Sequence, residues 1–83
     1  MKHAGTAALD QLEPLLTEIR QRQGLKERSR GVFYRKGQAW LHFHEDPAGL
    51  FADLKDGGDW RRFEVSAADA QPALLAALDA SLI

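Results

Sequence analysis

Apolar and polar positions change their spacing twice along this chain. Between Thr6 and Gln23, Leu9, Leu12, Leu16 and Ile19 recur three and four residues apart, the single apolar stripe of an amphipathic helix. From Gly31 to Val65 the period shortens to two, and the residues become β-branched and aromatic. Three turn signals interrupt that stretch: Lys36-Gly37, Glu45-Asp46-Pro47-Ala48-Gly49 and Asp56-Gly57-Gly58-Asp59. They predict four consecutive strands in an antiparallel meander. Beyond Val65 the helical spacing returns in Leu74, Leu75, Leu78 and Leu82, and predicts a last helix ending near Ser81.

The ends of these elements follow from local chemistry. Gly24 stops the first helix, and Leu25 to Arg30 reads as a basic connector. Pro14 removes a backbone donor and leaves two solutions for the first helix. It starts at Asp10, with Glu13 completing a capping box and Pro14 in the first turn, or it is longer and kinked at Pro14. Ser66 has the chemistry of an N-cap with Asp69 as its box partner, and Pro72 sets the regular part near Asp69 or Ala70. The order helix, four strands, helix predicts one α+β domain over residues 1–83, with both helices on one face of the sheet.

Tight turns also say which residues lie opposite each other. A two-residue turn at Lys36-Gly37 sets Phe33 against Trp40 and Val32 against Leu41. One at Gly57-Gly58 sets Lys55 against Trp60, Asp53 against Arg62 and Phe51 against Glu64. The middle loop is open to two parities. Grouping Leu41 and Phe43 with Ala52 and Leu54 sets His42 against Asp53 and His44 against Phe51. The core face then collects Val32, Tyr34, Ala39, Leu41, Phe43, Leu50, Ala52, Leu54, Phe63 and Val65, with Arg61 extending to water at its margin. The helix-free face carries Phe33, Arg35, Trp40, His42, His44, Phe51, Asp53, Lys55, Trp60 and Arg62. On it Lys55 lies between Trp40 and Trp60, and Asp53 favours protonation of His42.

Composition narrows what that face can do. A chain of 83 residues with no cysteine has neither disulfides nor thiolate metal ligands. No apolar run approaches the roughly 20 residues of a membrane span, and Met1-Lys2-His3-Ala4-Gly5 lacks the apolar core of a signal peptide. The expectation is a soluble cytoplasmic protein without membrane contact. A net charge of −1 disfavours a dedicated nucleic-acid binder. The charges are nevertheless segregated. Arg20, Arg22, Lys26, Arg28, Arg30, Arg35 and Lys36 face only Glu27, whereas Glu45 to Asp59 is acidic apart from Lys55.

Three chemistries fit the helix-free face. Grouped aromatics suit a protein-interaction module, with a partner protein or a second copy of the chain as a homodimer. Aromatics beside Arg35, Lys55 and Arg62 suit stacking of single-stranded nucleic acid. His42, His44 and Asp53 suit a metal, although no fourth ligand is evident. No cysteine nucleophile, phosphate loop or nucleophile elbow is present, so the expectation is a binding module without catalytic residues or cofactor.

The run Ser29-Arg30-Gly31-Val32-Phe33-Tyr34, followed by Ala39 to Asp53, resembles small uncharacterised bacterial proteins of the YjbR-like and related domain-of-unknown-function families. The likeness covers about half the chain and lies in its rhythm. It implies a small α+β domain of unassigned activity. Some relatives are suspected DNA binders, and this chain lacks their basic character. No functional residue carries over.

Overall fold

Hairpin chemistry builds most of the sheet. In the computed structural model, which describes residues 2–83, Lys36 (φ +52°) and Gly37 (φ +80°) make the turn between β3 (Val32–Arg35) and β4 (Gln38–Asp46). Two successive left-handed residues match the right-handed twist of paired strands, which is why a Lys-Gly pair closes the hairpin. Pro47-Ala48 joins β4 to β5 (Gly49–Asp56), where the Asp46 carboxylate accepts from the Ala48 N–H at 2.9 Å. Gly57-Gly58 joins β5 to β6 (Asp59–Glu64).

The sheet is antiparallel and larger than the four expected strands. Its order is β2-β3-β4-β5-β6, with β2 spanning Lys26–Ser29 and β1, Lys2–His3, beside β4. The segment read as a basic connector is thus an edge strand. Its polar residues gave no alternation, because charge protects an exposed edge from pairing with another chain. Gly31, at φ +80°, makes the turn into β3. A Cβ there would meet Leu9 Cδ2 at 2.7 Å, so the turn also lets the first helix close onto the sheet.

Three helices supply the second layer: α1 (Thr6–Gln11), α2 (Glu13–Arg20) and α3 (Gln71–Ser81). The expected place of Pro14 in a first helical turn holds, but the start at Asp10 and the single kinked helix do not. The helix breaks at Leu12 (φ −90°, ψ 0°), and Pro14 sits in the first turn of α2, where its missing N–H is not needed. The Asp10–Glu13 capping box does not form. Both carboxylates instead take Arg30, at 2.8 and 2.7 Å, and Glu13 also takes Arg20. Ser66 does not cap α3 either. Its hydroxyl accepts from the Leu50 N–H at 2.7 Å, and a short 3-10 turn at Ala68–Ala70 leads into the helix.

Leu9, Leu12, Leu15, Leu16, Ile19, Leu74 and Leu78 from the helices meet Phe33, Leu41, Phe43, Ala52, Leu54, Phe63 and Val65 in one buried cluster. The expected pairing holds between β4 and β5 and between β5 and β6, from His42 against Asp53 to Lys55 against Trp60. Between β3 and β4 it holds for Arg35 against Gln38 and for Tyr34 against Ala39, and fails beyond them. Tyr34 pairs with Ala39 but Phe33 pairs with Leu41, so Trp40 is an extra residue in a β-bulge. The shift turns Phe33 into the core and sets Val32 against His42.

Phe33, Arg35 and Trp40 therefore leave the helix-free face to which alternation assigned them. Trp40 packs against the core, its indole N–H donates to Ser81 Oγ at 3.1 Å, and the Arg35 guanidinium lies 5.2 Å from its ring. Arg35 donates to the Ser81 and Leu82 carbonyls at 2.8 and 3.3 Å, a cation at the negative end of α3. The bulge lets these two side chains anchor α3. Lys55 consequently meets Trp60 alone, 5.1 Å from its ring, and not a pair of tryptophans. Among the described residues, no helix is long and apolar enough to cross a membrane.

Two measurements test this packing. Phe43 is 2 % exposed at the centre of the cluster, so Phe43→Ala is expected to destabilise by roughly 3–5 kcal/mol in denaturant unfolding. A midpoint close to the parent's would place Phe43 outside the core. Trp40→Ala removes one hydrogen bond to α3, worth about 1 kcal/mol. Amide exchange at Leu82 is expected to accelerate roughly fivefold relative to Leu74. Equal acceleration at both positions would mean that Trp40 supports the whole core and not the end of α3.

Candidate metal centre on the helix-free face

Alternation along β4 does most of the work at this site. Leu41 and Phe43 point into the core, so His42 and His44 project from the opposite face. The Pro47-Ala48 turn sets His42 against Asp53 on β5, and the Gly57-Gly58 turn sets Asp53 against Arg62 on β6. His42, His44, Asp53 and Arg62 come together as alternation predicts.

A third histidine joins them. β1 takes over the edge of β4 beyond β3 and pairs His3 with His44 and Lys2 with Glu45. Two further contacts hold the segment. The Ala4 N–H donates to the Phe43 carbonyl at 3.0 Å, and the Gly5 N–H donates to the Glu45 carboxylate at 2.6 Å. The ring centroids lie 4.8 Å apart for His3–His44, 4.7 Å for His42–His44 and 5.7 Å for His3–His42. One nitrogen from each ring falls within 4.8 Å of the other two. The chain has three histidines, and all of them are here. A two-residue strand leaves no periodic signal, so the pattern missed His3. Its only trace in the sequence was that the chain's histidines are so few.

The nitrogens are close and incompletely satisfied. His42 Nδ1 and His44 Nε2 are 2.8 Å apart, and His44 Nε2 is 3.2 Å from Asp53 Oδ2. His44 Nδ1 is buried without a hydrogen-bond partner from the protein. Asp53 is 6 % exposed and is held by Arg62, whose Nε and Nη2 each donate at 2.8 Å to one carboxylate oxygen. That fork holds the Asp53 carboxyl below the usual carboxylate range, against the opposing effect of burial.

His42 behaves differently from the simple expectation that Asp53 would favour its protonation. Burial, followed by the neighbouring His44 ring, outweighs the Asp53 carboxylate and pushes the His42 imidazole below its ordinary pKa. Trp60, 42 % exposed, lies edge-on to His42 with ring centroids 4.7 Å apart. Phe51, half-buried, pairs with His44 on one side and Glu64 on the other.

Three imidazoles converging from two strands offer nitrogen donors of the kind that zinc, copper and nickel take. Tetrahedral zinc at about 2.0–2.1 Å from each nitrogen separates its ligand atoms by about 3.3 Å. The 2.8 Å between His42 and His44 is thus about half an ångström short of that spacing. No protein-family model, curated protein or solved structure matches this chain.

The lowered pKa of His42 gives a pH dependence that needs no metal. Above about pH 6.5 the imidazole is neutral in both folded and unfolded chains and contributes no slope. As pH falls through that value, the unfolded chain takes up a proton that the folded chain resists, and stability falls. In the presence of a chelator, the parent is expected to be less stable to urea at pH 5.5 than at pH 8. His42→Gln is expected to lose part of that difference. A parent that gains stability on acidification would reverse the assignment.

Proposed function

We propose that this protein binds a divalent transition-metal ion on its helix-free face, through His3, His42 and His44. The observation that carries this reading is the convergence of all three histidines, one nitrogen from each within 4.8 Å of the others. Burial supports it, because it favours neutral His42, the form that ligates a metal.

The same face also supports a role as a protein-interaction module, with a partner or a second copy of the chain. Trp60 favours this second reading, since an exposed tryptophan beside Lys55 is the kind of anchor that dominates interfaces. Single-stranded nucleic acid has less to hold. Phe33 and Trp40 lie on the helix side, and Arg62 is committed to Asp53.

Zinc titration of isotope-labelled protein tests the metal reading. Shifts are expected at His3, His42 and His44, saturating at one equivalent. Each single His→Ala variant is expected to weaken binding by at least the roughly 10–100-fold that loss of an outer-shell partner costs. Zinc at 100 times its dissociation constant should add about 2.7 kcal/mol to the parent's stability and little to a variant's. Unchanged binding in a variant lacking all three imidazoles would reject the site.

A further inference from the structure

We infer that Asp53 supplies the fourth protein ligand of the metal centre, closing a tetrahedron of three imidazoles and one carboxylate that leaves no position for an exogenous ligand. This inference rests on the metal reading above and names how that site completes its coordination.

Position comes first. His42 and His44 stand on β4 between two flanks, with β1 bringing His3 on one side and β5 bringing Asp53 on the other. On β5, Asp53 pairs with His42, whereas the partner of His44 is Phe51, which has no donor atom. Asp53 Oδ2 lies 3.2 Å from His44 Nε2, and His42 Nδ1 lies 2.8 Å from the same nitrogen. Zinc bound at about 2.0–2.2 Å to nitrogen and oxygen sets neighbouring tetrahedral ligand atoms roughly 3.3–3.5 Å apart. The carboxylate oxygen already stands close to that spacing from His44. His44 Nε2 carries at most one hydrogen, which can point at the Asp53 oxygen or at the His42 nitrogen. An ion in place of that hydrogen joins all three donors at once.

Arg62 does not compete with the ion. Its Nε and Nη2 donate one hydrogen bond to each Asp53 oxygen at 2.8 Å, and a carboxylate oxygen has two lone pairs, so Oδ2 keeps one free. Ligating carboxylates are themselves hydrogen-bonded on their outer side, and this fork fixes the side chain with Oδ2 beside His44. Arg62 is thus a positioning residue. Asp53 stands outside the group of three nitrogens within 4.8 Å of one another, so ligation draws it and His3 together across β4. His3 rides on a strand of two residues and is the ligand with most freedom to follow. The carboxylate lowers the charge of the centre from +2 to +1 at a buried position. Closed sites of this kind serve structure, whereas catalytic ones keep a water on the ion. The ion would then tie β1, β4 and β5 together.

Cobalt(II) tests this, because its visible bands report coordination, and azide is a small anion that takes an open position. The parent with one equivalent of cobalt is expected to show four-coordinate bands that azide leaves unchanged. Asp53→Asn keeps the shape of the side chain and frees only Arg62, which is half exposed. That variant should bind cobalt at least roughly tenfold more weakly, with an altered spectrum that responds to azide. In the parent labelled with carbon-13 at its aspartate carboxyls, the Asp53 resonance should shift with zinc and saturate at one equivalent. A parent spectrum that changes with azide would overturn the closed sphere. An Asp53→Asn variant with the parent's cobalt spectrum and affinity would remove Asp53 as a ligand. Either result would leave the metal reading standing. Should Asp53→Asn fail to fold, an Asp53 carboxyl resonance unmoved by zinc in the parent overturns the inference by itself. Failure of cobalt to bind the parent at all would end both readings.

Discussion

The two-residue turn at Pro47-Ala48 decides the chemistry of the whole molecule, because it sets the parity of β4 against β5. Side chains alternate strictly, so a slip of one residue would carry every group on β4 to the other face. With the observed parity, Leu41 and Phe43 complete the core while His42 and His44 stand beside Asp53. The opposite parity would press two imidazoles into the leucines of α1, α2 and α3 and leave Phe43 in water. The apolar requirement of the core therefore selects the arrangement of the site. The same residues that hold the helices down determine where the histidines must point.

The legible parts of this fold are those where one physical signal acts alone. The β4–β5 and β5–β6 ladders follow from alternation and turn chemistry, and they bring His42, His44, Asp53 and Arg62 together. Where two signals compete, the pattern misleads. Lys36-Gly37 closes a hairpin whose simple register would put Trp40 outside, yet the indole and Arg35 find better partners at the end of α3. The sheet accommodates them with a bulge, which a local reading cannot detect because the partners are some forty residues away. β2 and β1 carry no hydrophobic alternation, one being a charged edge and the other only two residues long. Asp10 and Glu13 had the spacing of a capping box, but Arg30 offered charged hydrogen bonds in place of backbone ones.

The helix-free face contrasts with the core. The core is all apolar, whereas this face buries a carboxylate and gathers three imidazoles. Asp53 is buried but its partner Arg62 is half exposed, and an ion pair so open to water adds little net stability. The Asp53–Arg62 fork is therefore poorly explained by stability alone. Its geometric consequence is more specific. It fixes the carboxylate on β5 beside His44, with both oxygens directed at one guanidinium. Departures from the locally most stable choice tend to collect where a protein binds something.

β1 connects that chemistry to the mechanics of the chain. It pairs over two residues only, and what fastens it is two backbone donors and a Lys2–Glu45 approach of 4.0 Å. Such a strand is weakly held by itself, because ordering each residue costs about 1–2 kcal/mol of backbone entropy. His3 is the only side chain of the cluster carried by this strand; His42 and His44 sit on the long β4, flanked by partners on both sides. An ion shared among the three would bridge the least anchored strand to one of the best anchored. Binding and docking are then one linked equilibrium: whatever favours β1 on the sheet raises affinity for the ion, and the ion returns the same free energy to β1.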